Sequence, residues 1–268
     1  MTAPEPGTVE ERLRAHGLGL PPGHTLTTLR ERPELDPLVD AHHSAMWEVF
    51  MTESEVANRM FPRAHLDWPD HQLILLDASG VVVATSSAMP LSWDGTDGDL
   101  PAGWDDQVLR SAADADAGRE PTALGAMLIV VGRAVRGTGL SGTMLQAMQA
   151  AGRAAGYRAV IACVRPTEKH RYPLIPIERY ATWTRDDGQP FDPWIRLHVR
   201  LGGRIVRAAP RSMEIRGSIS DWESWTGLSF PDSGNYIVPT ATSPVAIDHD
   251  RDDGVYFDQN VWVVHDLA

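Results

Sequence analysis

The chain has 268 residues, of which 43% are hydrophobic, and its 36 acidic and 24 basic residues give a net charge of −12. This composition can build a hydrophobic core, and it argues against general nucleic-acid binding, which depends on neutralising phosphates with basic side chains. The single cysteine, Cys163, excludes an internal disulfide. No cluster of Cys and His suggests structural zinc, so we expect no metal.

The N-terminus lacks the pattern of a signal peptide, and no apolar stretch is long enough to span a membrane. We therefore expect a cytoplasmic protein without a membrane partner. Residues 1–30 are rich in Pro, Gly and Glu, and we expect them to lie loosely at the surface. Apolar residues at helical spacing predict a helix at 35–51 and a shorter one at 53–60. Two apolar runs around a Gly turn predict a β-hairpin with strands at 72–77 and 81–87.

Residues 91–120 form an acidic excursion with eight carboxylates. Its Asp-Gly pairs mark turns, and residues 105–115 are predicted to form a helix. A long insertion between two strands is often a lid over a site. A solvated surface loop is an equally good interpretation of the same pattern.

The elements predicted after this excursion are strands at 123–131 and 158–164, helices at 139–155 and 193–201, and strands at 204–208 and 212–216. The first two strands are apolar on both faces, which is typical of central positions in a sheet. Turn signals and short apolar runs such as 261–264 follow from residue 218 onward. The pattern predicts an α+β fold.

A glycine-rich turn, Arg136-Gly137-Thr138-Gly139-Leu140-Ser141, connects the strand at 123–131 to an amphipathic helix. Free amides at a helix N-terminus can bind a pyrophosphate if no side chain obstructs the approach. The turn has neither the spacing of a Rossmann fingerprint nor the lysine of a Walker loop. Residues 121–180 carry eight basic and two acidic residues. This local positive charge favours a polyphosphate ligand.

The turn resembles the CoA-binding motif of the GNAT superfamily of acyltransferases, Arg/Gln-x-x-Gly-x-Gly/Ala, with Ser141 at the last small position. Val131 lies five residues before Arg136, where GNAT enzymes place the strand residue whose backbone pairs with pantetheine. The resemblance implies a central, mixed, mostly antiparallel twisted sheet flanked by helices, and acyl-CoA as the cosubstrate. The cofactor-binding residues that it implies are Val131, Arg136, Gly137, Thr138, Gly139, Leu140, Ser141 and Gly142.

The resemblance also divides the chain. It implies a GNAT acyl-CoA domain at residues 31–217, which follows the loosely ordered segment that composition predicts at 1–30. We expect residues 218–268 to form a C-terminal extension packed on that domain. GNAT enzymes typically carry a tyrosine near the CoA sulfur, in a pattern like Leu-Tyr-Glu-Lys-Leu-Gly-Phe. The matching run, 197–203, has His198 at the tyrosine position. Because histidine titrates near neutral pH, it can serve there as acid or base.

The runs that carry a closer resemblance are 172–180, 192–203, 209–213 and 222–227. They resemble the GNAT-like domains of polyketide synthase loading modules. Those domains are described as decarboxylating malonyl-type CoA thioesters, with or without acyl transfer to a carrier-protein thiol. The resemblance assigns a catalytic histidine to His198, a threonine to Thr167 and an arginine to Arg211, with Arg207 and Arg204 as alternatives.

Further groups near the predicted site could take part in the reaction or only in packing. Backbone N–H groups near Val131 and Gly132 could stabilise the enolate that decarboxylation produces. Cys163 could carry an acyl group, but its apolar strand favours core packing. Trp47 and Trp68 could line the acyl pocket, and packing in the core is again the favoured interpretation.

Three functions remain open from the sequence. The first is a GNAT-like decarboxylase or S-acyltransferase that acts on malonyl-type CoA or acetyl-CoA, with an acyl carrier protein as a possible partner. The second is an N-acetyltransferase for a small-molecule amine, for which residues 91–120 could provide an acidic pocket. The third is a non-catalytic CoA-binding module, which a His198 facing the thioester would argue against.

Overall fold

The structure is a computed structural model that describes residues 7–267. The α-helices are α1 (Val9–Ala15), α2 (Asp36–Ser44), α3 (Val49–Thr52), α4 (Glu55–Asp67), α5 (Trp104–Asp116), α6 (Leu140–Ala154), α7 (Ile177–Tyr180), α8 (Pro193–Arg200) and α9 (Ile219–Thr226). The strands are β1 (Thr25–Thr28), β2 (Gln72–Leu76), β3 (Val82–Leu91), β4 (Ala123–Val131), β5 (Ala159–Val164), β6 (Arg204–Gly217), β7 (Gly234–Tyr236), β8 (Val245–Asp248) and β9 (Asp253–Asp266).

All of these strands belong to one sheet, in the order β1-β2-β3-β4-β5-β9-β8-β7, with β6 also paired to β9. The β4–β5 pair is parallel and the other pairs are antiparallel. Ile161 of β5 packs with α4 and α5, whereas its neighbour Val160 packs with Met148 of α6. Helices therefore cover both faces of a mixed, mostly antiparallel sheet, which confirms the predicted α+β architecture.

The N-terminal segment differs from the loose one predicted at residues 1–30. Residues 1–6 lie outside the described part of the chain. Thr8 and Glu11 form a reciprocal capping box that begins α1. Val9 and Leu13 of α1 are buried in a cluster with residues of β2 and α6, and β1 pairs with β2. The apolar residues here are too few for a clear pattern, so only the tertiary packing reveals the segment as part of the fold.

The C-terminal part also differs from the predicted extension. β9 lies inside the sheet, where it pairs with β5 through Val261–Asp266 and with β6 over most of its length. Val261, Trp262, Val263 and Val264 are all fully buried, because both faces and both edges of this stretch are covered. The sheet therefore does not end at residue 217, and the segment 218–252 is inserted between two adjacent strands.

The acidic excursion at residues 91–120 is packed on the sheet, so its interpretation as a solvated surface loop is wrong. The predicted helix at 105–115 is confirmed as α5. Trp93 and Trp104 are 3% and 4% exposed, and the Trp104 indole N–H donates to the Met127 carbonyl at 2.8 Å. The predicted hairpin is confirmed as β2–β3. The predicted helix at 35–51 is interrupted between α2 and α3.

No helix within residues 7–267 combines the length and apolar character needed to cross a lipid bilayer.

Candidate active site

The glycine-rich turn presents backbone donors at the start of α6. Gly137 and Gly139 have φ values of 81° and 90°, in the left-handed region that favours glycine. Gly139 is the N-cap of α6, and the N–H groups of Gly139, Leu140 and Ser141 donate to no other described residue. The Thr138 hydroxyl closes the turn by donating to the Val135 carbonyl at 2.7 Å. Open amides at a helix N-terminus are the donors that the predicted phosphate site requires, and the binding of an anion there stays a prediction.

β4 and β5 separate beside this turn. They pair only from Ala123 to Ala126 of β4, although β4 continues to Val131. The N–H of Gly132 donates to the Val83 carbonyl on β3 at 2.9 Å, so it cannot also stabilise an enolate as proposed from the sequence. Because N–H directions alternate along an antiparallel strand, the N–H of Val131 faces the gap on the β5 side. An extended ligand could therefore pair with the free edge of β4.

A cavity of about 1180 Å³ extends from the turn through this gap. Pockets for one small molecule usually measure about 300–1,000 Å³, so this cavity has room for more than one substrate. Predicted site residues that line it are Val131, Arg136, Gly137, Gly139, Leu140, Ser141, Gly142, Thr167 and His198. Thr138 and Arg211 are not among the lining residues.

His198 lies on α8, which Asp192 begins by accepting hydrogen bonds from the N–H groups of Trp194 and Ile195. The imidazole is 2% exposed, and its Nδ1 is 2.9 Å from Nε2 of His265. Its Nε2 is buried without a partner in residues 7–267. Burial, reinforced by His265, lowers the pKa of His198 to about 3. The ring is therefore neutral at physiological pH and does not titrate near neutrality as the sequence suggested.

Thr167 follows β5, and its hydroxyl is 3.5 Å from Oδ1 of Asp192. Thr167 and His198 therefore line one cavity. Arg211 does not join them, because its exposed guanidinium is 3.7 Å from the centre of the Phe257 ring.

The two alternatives to Arg211 also face away from the cavity. Arg207 donates to the carbonyls of Leu100 and Pro101, and Arg204 pairs with Asp97. The β6 register shifts twice between residues 205 and 213, which the sequence pattern does not reveal.

Arg165 is the arginine that β5 delivers to the cavity. Its Nε donates to both carboxylate oxygens of Asp258, at 2.9 and 3.1 Å, and its Nη2 donates to the Thr240 carbonyl at 2.9 Å. The Asp258 side chain is 3% exposed, and it also accepts from the Thr242 hydroxyl at 2.9 Å. The sequence counted Arg165 only as part of a basic segment, because its partner is 93 residues away. Lys169, counted in the same segment, is buried and donates to main-chain carbonyls.

The far end of the cavity has aromatic walls. The rings of Trp47, Phe61 and Trp104 line it, whereas Trp68 does not. Cys163 lies on the cavity wall with its Sγ 3.1 Å from the Ser212 hydroxyl. Burial raises the pKa of this thiol to about 12, so it is protonated at physiological pH. Trp47 is thus a cavity residue, and Cys163 is a poor nucleophile.

Asp40, His43 and His65 are the described residues that could hold a metal ion. One potential ligand atom from each lies within 4.8 Å of the other two. Tetrahedral zinc requires ligand atoms about 3.3 Å apart, as its bond lengths of about 2 Å dictate. Nδ1 of His65 is already 2.7 Å from a carboxylate oxygen of Asp36. The His65–Asp40 distance of 3.8 Å is wider than a closed zinc site allows, and Asp40 is the one carboxylate of this group that lines the cavity.

An open turn at a helix N-terminus, placed beside two separating parallel strands, is the arrangement that the GNAT resemblance predicts for an acyl-CoA site. No protein-family model matches the sequence. The chain is 31% identical to the arginine N-acetyltransferase avaD of Aspergillus versicolor, an alignment that covers 95% of this chain and 98% of that protein. The protein belongs to the GNAT superfamily of acyltransferases.

Solved structures share the fold at low sequence identity. The loading GNATL domain of CurA from Lyngbya majuscula superimposes with a TM-score of 0.57 at 15% identity, covering 91% of this chain and 98% of that one. The GNAT-like decarboxylase GphF in complex with isobutyryl-CoA is less similar, with a TM-score of 0.47 and 19% identity over 78% of this chain and 84% of that one.

Proposed function

We propose that this protein transfers an acetyl group from acetyl-CoA to the amine of a small molecule of the arginine class. The observation that carries this proposal is the 31% identity to an arginine N-acetyltransferase over 95% of the chain. An alignment of this extent includes both ends of the cavity. The alternative of a non-catalytic CoA-binding module is less favoured, because the cavity continues well beyond the predicted CoA turn.

The far end of the cavity suits a cationic acceptor. Its aromatic side chains offer faces on which a guanidinium can stack. Asp40 also lines the cavity and supplies negative charge, with its Oδ1 3.8 Å from Nδ1 of His65, whose ring packs against Phe61. Arg165, with its charge balanced by Asp258, lies beside Trp47 and could orient an acceptor carboxylate. Arginine has a matching group for each of them: a planar guanidinium, a positive charge and a carboxylate.

The same geometry suggests how transfer proceeds. The acceptor nitrogen attacks the thioester carbon, the C–S bond breaks, and CoA leaves as its thiolate. The proton that the nitrogen loses balances the one that the thiolate gains. Negative charge develops on the thioester oxygen before the C–S bond breaks, and the Val131 N–H, directed into the gap, can stabilise it.

A product analysis tests the proposal. The protein is incubated with acetyl-, malonyl- or methylmalonyl-CoA, with and without L-arginine, and products are identified by mass spectrometry. We expect acetyl-CoA to be consumed only with arginine, with one free thiol released per N-acetylarginine. Agmatine, which lacks the carboxylate, should react more slowly if Arg165 orients that group. Intact arginine beside consumed malonyl-CoA would contradict the proposal.

The proposed CoA site has its own test. Arg136→Gln removes a charge-assisted donor beside the open turn, for which about 1.5–3 kcal/mol is typical, so the Kd for CoA should rise about tenfold or more. Arg153→Gln is the matched control, because Arg153 lies on the last turn of α6 and does not line the cavity. Equal affinities of the two variants in calorimetry would place the CoA phosphates elsewhere.

A second candidate function is decarboxylation of a malonyl-type thioester, with or without transfer to a carrier-protein thiol. The observation that favours it is that Thr167 and His198 line one cavity. Arg165 would there take the role that the sequence assigned to Arg211. Release of CO₂ from malonyl-CoA without any acceptor would support this candidate over amine acetylation.

A further inference from the structure

Three polar side chains form a buried chain of hydrogen bonds beneath the cavity. Nε2 of Gln149 is 2.8 Å from Nδ1 of His265, and Nε2 of His265 is 2.9 Å from Nδ1 of His198. Gln149 lies on α6, His265 on β9 and His198 on α8, and the three are 6%, 1% and 2% exposed. Because water does not reach these groups, each must find its donor or acceptor within the chain.

The hydrogen-bonding capacity of Gln149 determines where the protons lie. Its amide nitrogen can only donate, and its orientation is fixed by a second bond to the Leu201 carbonyl at 3.1 Å. With the Gln149 amide nitrogen as the donor, Nδ1 of His265 accepts, which leaves the proton of that neutral ring on Nε2. Nε2 of His265 then donates to Nδ1 of His198. The neutral His198 ring consequently carries its own proton on Nε2.

The two rings remain neutral under ordinary conditions. Burial lowers the pKa of His265 to about 4 and, together with His265, that of His198 to about 3. The Nε2–H of His198 is buried and has no partner in the described part of the chain, and His198 lines the cavity. A donor in this state is available to an acceptor atom on a bound ligand.

We infer that Gln149 and His265 are positioning residues that keep His198 as a neutral Nε2–H donor to the oxygen or sulfur of the bound thioester. The inference rests on the proposed acyl transfer. It also restricts the chemistry, because Nε2 carries a proton in this tautomer and has no lone pair with which to act as a base. The proton of the attacking amine must therefore leave by another route, and His198 stabilises negative charge instead.

The tautomer can be measured directly. Protein labelled with ¹⁵N-histidine, without substrates, is observed by two-bond ¹H–¹⁵N correlation, and His198→Gln assigns the signal. We expect wild-type His198 to carry its proton on Nε2. His265→Leu removes the donor to Nδ1 and should produce a mixture of tautomers. His265→Gln keeps an N–H near the same position and should restore the Nε2–H form.

Kinetics then separate positioning from folding. In His265→Leu we expect kcat to fall at least about tenfold with an unchanged KM for acetyl-CoA, and His265→Gln to recover most of the loss. His71→Leu is the control, because His71 contacts Tyr157 and does not line the cavity. Gln149→Leu tests the same hydrogen-bond series if His265→Leu does not fold. We again expect the tautomer of His198 to change.

Two results would overturn the inference: a wild-type His198 protonated on Nδ1, or a His198 signal and kcat that His265→Leu leaves unchanged. The tautomer is read without substrates. If His198 carries its proton on Nε2 but the protein does not acetylate arginine, the proposed function is contradicted and the inference about the tautomer is not.

Discussion

The ion pair between Arg165 and Asp258 is buried, so breaking it should destabilise the protein more than breaking an exposed ion pair. The Asp258 side chain is 3% exposed and the Arg165 side chain 22%, so neither charge is well solvated. Asp258→Asn removes the charge and leaves the guanidinium of Arg165 without a counter-ion. Removing one partner of a buried pair typically costs about 3–5 kcal/mol, because the remaining charge stays buried. We expect the free energy of unfolding to fall by that amount, a large part of a typical total of about 5–15 kcal/mol.

Urea unfolding at pH 7 measures this loss. Asp97→Asn is the matched control, because its partner Arg204 and Asp97 itself are about half exposed, at 51% and 53%. Exposed pairs are screened by solvent and contribute little, so the control should leave the free energy of unfolding nearly unchanged. Arg165→Met combined with Asp258→Leu should recover part of the loss by removing both charges. If Asp258→Asn costs no more than Asp97→Asn, the pair is effectively solvated and the reasoning fails.

Three further predictions concern the turn, the cysteine and the pH dependence of stability. Gly139→Ala forces a side chain onto φ 90°, so the turn should leave this geometry and CoA affinity should fall about tenfold in calorimetry. Gly156→Ala, with φ 79° and equally open surroundings outside the cavity, should leave CoA affinity unchanged. Cys163→Ala should keep turnover within about threefold, because a thiol with a pKa of about 12 is a poor nucleophile; a hundredfold loss would instead indicate an acyl-cysteine. Burial lowers the pKa of four histidines to between about 3 and 4: His43, His71, His198 and His265. A lowered histidine pKa means that the unfolded chain binds more protons, so stability should be lost as pH falls below about 6.5. Burial raises the pKa of Asp105 to about 6, which offsets one of these protons. The free energy of unfolding should therefore fall from pH 7 to pH 5, and a stability that stays flat over this range in urea unfolding would contradict the prediction.

The amino-acid sequence by itself determined the local structure around the glycine-rich turn at residues 136–141. Gly137 and Gly139 stand where the turn needs positive φ, and an apolar strand and an amphipathic helix flank them within about 20 residues. The backbone conformation of such a turn depends on neighbours in the chain, so its pattern could be recognised without the fold. The same reasoning located His198 on a helix predicted at residues 193–201, which is observed as α8.

Only the tertiary structure decided which distant groups meet. Arg165 contacts Asp258 across 93 residues and His198 contacts His265 across 67. Both partners lie on β9, which the sequence analysis assigned to a C-terminal extension packed on the domain. The insertion of β9 between β5 and β6 brings both partners to the cavity. It also buries the rings of His198 and His265, which turns an expected acid or base into a neutral donor. Such pairings depend on sheet order and burial, neither of which residue spacing encodes.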